Sequence, residues 1–176
     1  MTSCILILLL VGPDELQPTK TGLTIPLAVV CETISGYEDY VPREEPVVSR
    51  GEKLRVYAQV DGATIQETPK GFRVSLVQDA FVRKVGSEGK PLLTKLKIVN
   101  FDQTRSDYPG GVYLENTIET KGLPPGHYQL EMTLRDRLGG KPEPEVTKIV
   151  EFRVVPPAPV PSDSSRKSGR VLAKTR

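Results

Sequence analysis

The sequence predicts an all-β chain folded as an antiparallel sandwich of about seven to eight strands. Three observations carry that expectation. From about Ile25 to Val155 the apolar residues recur with a period of two, not the ~3.6 of a helix. Turn-forming residues interrupt the pattern at short intervals: Arg50-Gly51, Asp61-Gly62, the stretch from Gly86 to Gly89, Pro109-Gly110-Gly111, Pro124-Pro125-Gly126 and Gly139-Gly140. No segment has convincing helical spacing, and no internal repeat suggests a propeller or solenoid.

Each strand has its own local reason. Leu27 to Ile34 is an apolar opening strand that holds Cys31. In Lys53 to Val60, Leu54, Val56, Ala58 and Val60 fall on a buried face, and Lys53, Arg55, Tyr57 and Gln59 on a wet one. Phe72, Val74 and Leu76 alternate with Arg73 and Ser75, and the run continues through Phe81-Val82. Leu92 to Phe101 alternates around Lys95 and Lys97, and Val112, Leu114 and Ile118 share one side of the next strand. The clearest run is Tyr128 to Arg135, with Tyr128, Leu130, Met132 and Leu134 inward and Gln129, Glu131, Thr133 and Arg135 outward. Val150, Phe152 and Val154 close the domain, alternating with Glu151 and Arg153. Such half-buried alternation belongs to antiparallel sheets with one solvated face.

One motif is more specific. Leu123-Pro124-Pro125-Gly126-His127-Tyr128 leads into the strongest strand. It resembles the tyrosine corner of immunoglobulin-like and fibronectin-like sandwiches, in which a tyrosine hydroxyl bonds back to upstream backbone. That refines the expected fold to an immunoglobulin/fibronectin-like sandwich. Leu123, Gly126 and Tyr128 are the structural residues of the corner, the glycine permitting the bend.

A wider pattern joins Cys31-Glu32-Thr33-Ile34-Ser35-Gly36-Tyr37, Arg50 to Val60, and Leu123 to Leu130 with Arg135-Asp136. It resembles a family of uncharacterised bacterial β-sandwich domains common in planctomycetes, over roughly residues 28–155. The sequence departs from that family at Tyr37, where an aromatic-glycine pair is usual, and at Gln59, where an acid is usual. The family has no assigned activity, so the resemblance implies a fold and transfers no site residues.

The ends differ from the body. Ile5 to Val11 is an unbroken apolar run after Cys4, with the length of a secretory core but no preceding Lys or Arg. Residues 1–24 are read as this segment plus a polar linker, residues 25–155 as the sandwich, and 156–176 as a proline-rich exit and a disordered basic tail. In that tail Arg166, Lys167, Arg170, Lys174 and Arg176 stand against one acid, Asp163, for +4. The rest of the 176-residue chain therefore carries −2 of its +2 total. An exported or envelope location is favoured over the cytoplasm, and the tail offers contact with an anionic surface.

Composition excludes several chemistries. Two cysteines and one histidine cannot build a Cys/His zinc cluster within one chain. No apolar run approaches the ~20 residues of a membrane helix, and a net +2 implies no specific nucleic acid. Phosphate-cradling glycine loops are absent. His127 lies inside the corner motif and reads as a solvent-facing turn residue. Cys31 reads as a buried thiol behaving as a small hydrophobe; Cys4 could pair with it. Glu38, Asp39, Glu44 and Glu45 are placed on the loop after the first strand, and Asp102 and Asp107 on the loop after Phe101. None matches a calcium-loop pattern. Tyr37, Tyr40, Tyr108 and Tyr113 are the candidate contact residues, because tyrosine presents apolar area and a hydroxyl together. The expectation is a non-catalytic binding or structural module with a protein partner and no cofactor. The alternatives are an accessory or enzymatic subunit using loop carboxylates, and an anionic-surface binder working through the tail.

Overall fold

The computed structural model describes residues 22–87 and 89–157. The strands are β1 (Ala28–Gly36), β2 (Asp39–Pro42), β3 (Val47–Ser49), β4 (Lys53–Val60), β5 (Gln66–Thr68), β6 (Gly71–Lys84), β7 (Leu93–Arg105), β8 (Val112–Glu119), β9 (Gly126–Asp136) and β10 (Glu145–Val155). One sheet has the order β2-β1-β4-β8, antiparallel throughout. The other runs β3-β10-β9-β6, with β3 parallel to β10 and the remaining pairs antiparallel. The long β6 carries β7 along one edge, while the other edge is shared by β9 and, at its start, by the short β5.

The period-two rows of the sequence become the inside of a sandwich. One core cluster joins Val30, Leu54, Val56 and Ile118 of the first sheet to Ala80, Val82, Leu130, Met132, Phe152 and Val154 of the second. A second cluster joins Ala58, Val60, Val112 and Leu114 to Val74, Leu76 and Leu134. Each of the Val, Leu, Ile, Met and Phe side chains among them contributes about 1.5–3 kcal/mol when fully buried. Between the layers, Gln78 of β6 donates to Asn116 of β8 at 2.5 Å, both side chains fully buried.

The corner is built as a hydrogen bond. Tyr128 is buried, and its hydroxyl donates to the Pro124 carbonyl at 2.5 Å, with Phe152 stacked on its ring at 5.6 Å. Leu123 is buried beside it in the same core cluster. The expected role of Gly126 needs correction. Its φ is not left-handed, and an added Cβ would meet the Tyr128 ring at an ordinary 3.6 Å. The bend rests on the prolines and the tyrosine. His127 is exposed as expected, but it belongs to β9 rather than to the turn.

Four other differences have physical causes. The described residues form ten strands rather than seven or eight. The extra β2, β3 and β5 hold four, three and three residues, too few for a period to show. Tyr57, expected in water, is 0% exposed, because aromatic side chains from β2 and β8 cover it. Asp39 lies in β2 and Asp102 in β7, not in loops. Within the segment read as linker, Leu23 is buried and Thr24 bridges to Asp61.

β7 also bends where simple alternation predicts a straight strand. Leu96, Lys97 and Ile98 stand opposite the single residue Asp79, and Lys97 has a φ of 52°. The Asp79 carboxylate explains the bulge. It accepts the Lys97 backbone N–H at 2.7 Å and the Arg135 guanidinium at 2.5 Å. Burial pushes this carboxyl up, but the Lys97 N–H and the Arg135 charge outweigh it and hold it below the usual aspartate range.

Candidate functional site

Where β7 leads into β8, residues of both sheets line a cleft of about 290 Å³. Inward residues of β6 and β7 form one wall: Phe72, Val74, Phe101, Gln103 and Arg105. Tyr37, from the turn between β1 and β2, and Val112 and Tyr113 of β8 form the other. The alternation read in the sequence places them there, since Phe101 pairs with the core residue Leu76 and Arg105 with Phe72.

Gly111 sets the position of Tyr37. A Cβ at that glycine would fall 2.2 Å from the tyrosine ring, so only glycine lets the ring lie against the backbone. Gln59 donates its amide to the Tyr37 hydroxyl at 3.2 Å. Burial, with the negative charges of Glu38 and Asp61, pushes this phenol above its ordinary value. It is protonated at neutral pH and offers both a donor and an acceptor.

Behind the cleft the outer face of the first sheet carries a row of tyrosines. Tyr40 stacks on Tyr57 at 4.3 Å, and Tyr57 on Tyr113 at 5.6 Å. The Tyr57 hydroxyl accepts the Glu38 backbone N–H at 3.2 Å, which ties the β1–β2 turn to the row. Tyr108 lies on the loop between β7 and β8, 64% exposed, with its ring against the edge of Phe72 at 5.3 Å. The structure therefore brings Tyr37, Tyr40, Tyr108 and Tyr113 into one neighbourhood. Sequence reading missed Tyr57, Phe72, Phe101, Gln103, Arg105 and Gly111. The Pro-Gly-Gly turn signal marked Gly111 as a turn, without showing what lies against it.

The acidic residues do not converge. Asp102 points away from the cleft and takes a two-pronged bond from Arg73, at 2.9 and 2.8 Å, which holds its carboxyl below the usual range. Glu38 and Asp39 belong to the β1–β2 hairpin, and Asp107 to the β7–β8 loop. Glu45 reaches Arg153, while Glu44 is exposed on the β2–β3 connection. Among the described residues, no three His, Cys, Asp or Glu side chains group as metal ligands. Cys31 is 1% exposed, and burial raises its thiol pKa. Cys4, the apolar run from Ile5 to Val11, and the tail residues Arg166, Lys167, Arg170, Lys174 and Arg176 lie outside the described residues. No helix among the described residues is long and apolar enough to cross a membrane.

The fold and site define an all-β two-sheet sandwich with an aromatic cleft at one end. No protein-family description matches the chain, and no curated protein matches it. Among solved structures it is similar to the Pseudomonas fluorescens alkylpurine DNA glycosylase AlkC bound to DNA containing an abasic site analog. That likeness has 14% identity and a TM-score of 0.41, and covers 76% of this chain and 30% of that one.

Proposed function

We propose that this protein is a non-catalytic binding module on an immunoglobulin-like sandwich, and that it holds a protein partner at the aromatic cleft. The observation that carries the reading is the lining itself. Tyr37, Tyr113, Phe72 and Phe101 offer ring faces, and Gln103 and Arg105 offer donors at the rim. Aromatic and arginine side chains dominate the energetics of protein contacts, because rings cover large area with few torsions to freeze and the guanidinium supplies a planar fork of donors. The fold supports the immunoglobulin-like assignment in three ways. β1-β4-β8 form one layer, β10-β9-β6-β7 form the other, and the corner tyrosine is at the start of the strand next to the last.

The test is cross-linked capture of the partner from the native cell with the full chain and two variants. Tyr37→Ala removes a ring from a turn. Gly111→Ala drives that ring off its seat without touching the core. The expected result is one specific protein whose recovery falls about tenfold or more in both variants. Recovery unchanged in both would overturn the assignment of the cleft. An activity that depends on Asp102 or Asp107 would overturn the non-catalytic reading.

A further inference from the structure

Open strand edges invite pairing, and folded proteins usually blunt them with short strands, lysines, inward charges or bulges. The described edges of this sandwich follow that practice, with one exception. β2, β3 and β5 are short. β7 is broken by the bulge at Lys97, with Lys95 two residues before it. The open part of β10 places Lys148 on its inward row, paired in register with the core residue Met132. β8 is different. It is eight residues long, pairs with β4 without a register shift, and contains no proline, glycine or lysine. Among the described residues β4 is its only ladder partner.

We infer that the free edge of β8 accepts an extended segment of a partner protein as an added strand, and that this segment is aromatic at one position and basic at two others. This deepens the binding-module reading above and rests on it. The side chains that β8 turns outward dictate the chemistry. Tyr113 is the last rung of the tyrosine row, so a strand at ~4.8 Å beyond β8 can add the next ring. Glu115 and Glu119 stand two and six residues further on, both exposed. Only Lys53, at 3.4 Å from Glu119, answers either of them with an ion pair among the described residues. An added strand with Lys or Arg at the matching positions places opposite charges side by side. A second copy of β8 in the same place would instead put four glutamates on one two-stranded ribbon, which is unfavourable. The partner is therefore a basic strand of another protein, not this edge itself.

The test uses labelled synthetic peptides and the full chain, with binding read by fluorescence anisotropy. The probes have the pattern Tyr-x-Lys-x-x-x-Lys and its reverse, to cover both strand directions, plus a scrambled control. Two further versions of the better binder carry backbone N-methyl groups on alternate residues, in the two possible phases. One pattern should bind, the scrambled control should be about tenfold or more weaker, and one N-methyl phase alone should abolish binding, since only alternate N–H groups face β8. Glu115→Lys with Glu119→Lys should lower affinity about tenfold or more, and its circular dichroism should match wild type. Equal loss in both N-methyl phases, equal affinity for the charge-reversed protein, or no binding by either pattern would overturn the inference. So would a dimer of the chain that dissociates on charge reversal. Failure here and failure of the module reading are separable. If captured partner still depends on Tyr37 but is indifferent to Glu115 and Glu119, the cleft stands and the edge falls. If neither matters, both fall.

Discussion

Tyr57 and Tyr128 show what a single residue can and cannot announce. Tyr128 sits in a motif that states its own purpose. The prolines stiffen the approach, and the hydroxyl finds the Pro124 carbonyl four residues back. Tyr128→Phe leaves that carbonyl without its partner in a buried corner. The loss expected is about 1–3 kcal/mol, read as a lower denaturation midpoint with unchanged far-ultraviolet circular dichroism. An unchanged midpoint would show that the hydrogen bond contributes nothing net. Tyr57 was illegible for the opposite reason. Its parity correctly assigns it to the outer face of β4. Its burial depends on Tyr40 and Tyr113, far away in sequence. Period-two alternation reports which side of a sheet a residue is on. It does not report whether that side is covered. The same limit hid half of the cleft, since Phe72 and Phe101 were legible as core positions but not as the mouth of an opening.

At the scale of the element, strands longer than about seven residues were legible and shorter ones were not. β2, β3 and β5 have too few alternations to stand out, and their pairing comes from neighbours already in place. The β7 bulge was hidden too, because its cause is a carboxylate on another strand. Asp79 holds the Lys97 N–H and the Arg135 guanidinium, and so couples β6, β7 and β9. That arrangement has a pH signature. The folded carboxyl titrates below its unfolded value. Its contribution is therefore fully present above the unfolded aspartate value of about 3.9 and is lost as pH falls through the lower folded value. Asp79→Asn should lower stability at pH 7 by about 1.5–3 kcal/mol, the worth of charge-assisted hydrogen bonds. Below about pH 4 the gap between variant and wild type should narrow, as wild type loses the carboxylate charge that the variant lacks at every pH. Urea midpoints from pH 7 down to 3 measure this. A gap that stays constant across that range would remove the carboxylate from the account of the bulge.

The whole molecule is two layers, and what sets them in register is not all apolar. Gln78 and Asn116 face each other across the interior, one from each sheet, at 2.5 Å. The Gln78 Oε1 and Asn116 Nδ2 have no partner among the described residues. One hydrogen bond therefore stands against two buried polar atoms left unsatisfied, each of which carries a desolvation cost of about 1–3 kcal/mol. The pair should be a net burden on stability, retained for fixing how the layers meet. The sequence reading assigned neither residue, although both continue rows it marked, Phe72-Val74-Leu76 and Val112-Leu114-Ile118; the partnership was illegible, because it spans 38 positions and two sheets. A double-mutant cycle resolves it. Gln78→Leu alone or Asn116→Leu alone strands the remaining amide and should cost about 1–3 kcal/mol. The double variant removes both amides, fills similar volume, and should be as stable as wild type or more so. Denaturant titration of the four proteins gives the coupling. If the double variant loses as much as the two single variants together, the amides are a net source of stability and the burden argument fails. If the double variant is stable but its amide spectrum broadens, with several conformers in exchange, then the clasp gives up stability to select one alignment of the two sheets. That alignment also fixes the distance between the walls of the cleft, since Phe72 and Val74 lie on the strand of Gln78, and Val112 and Tyr113 on the strand of Asn116.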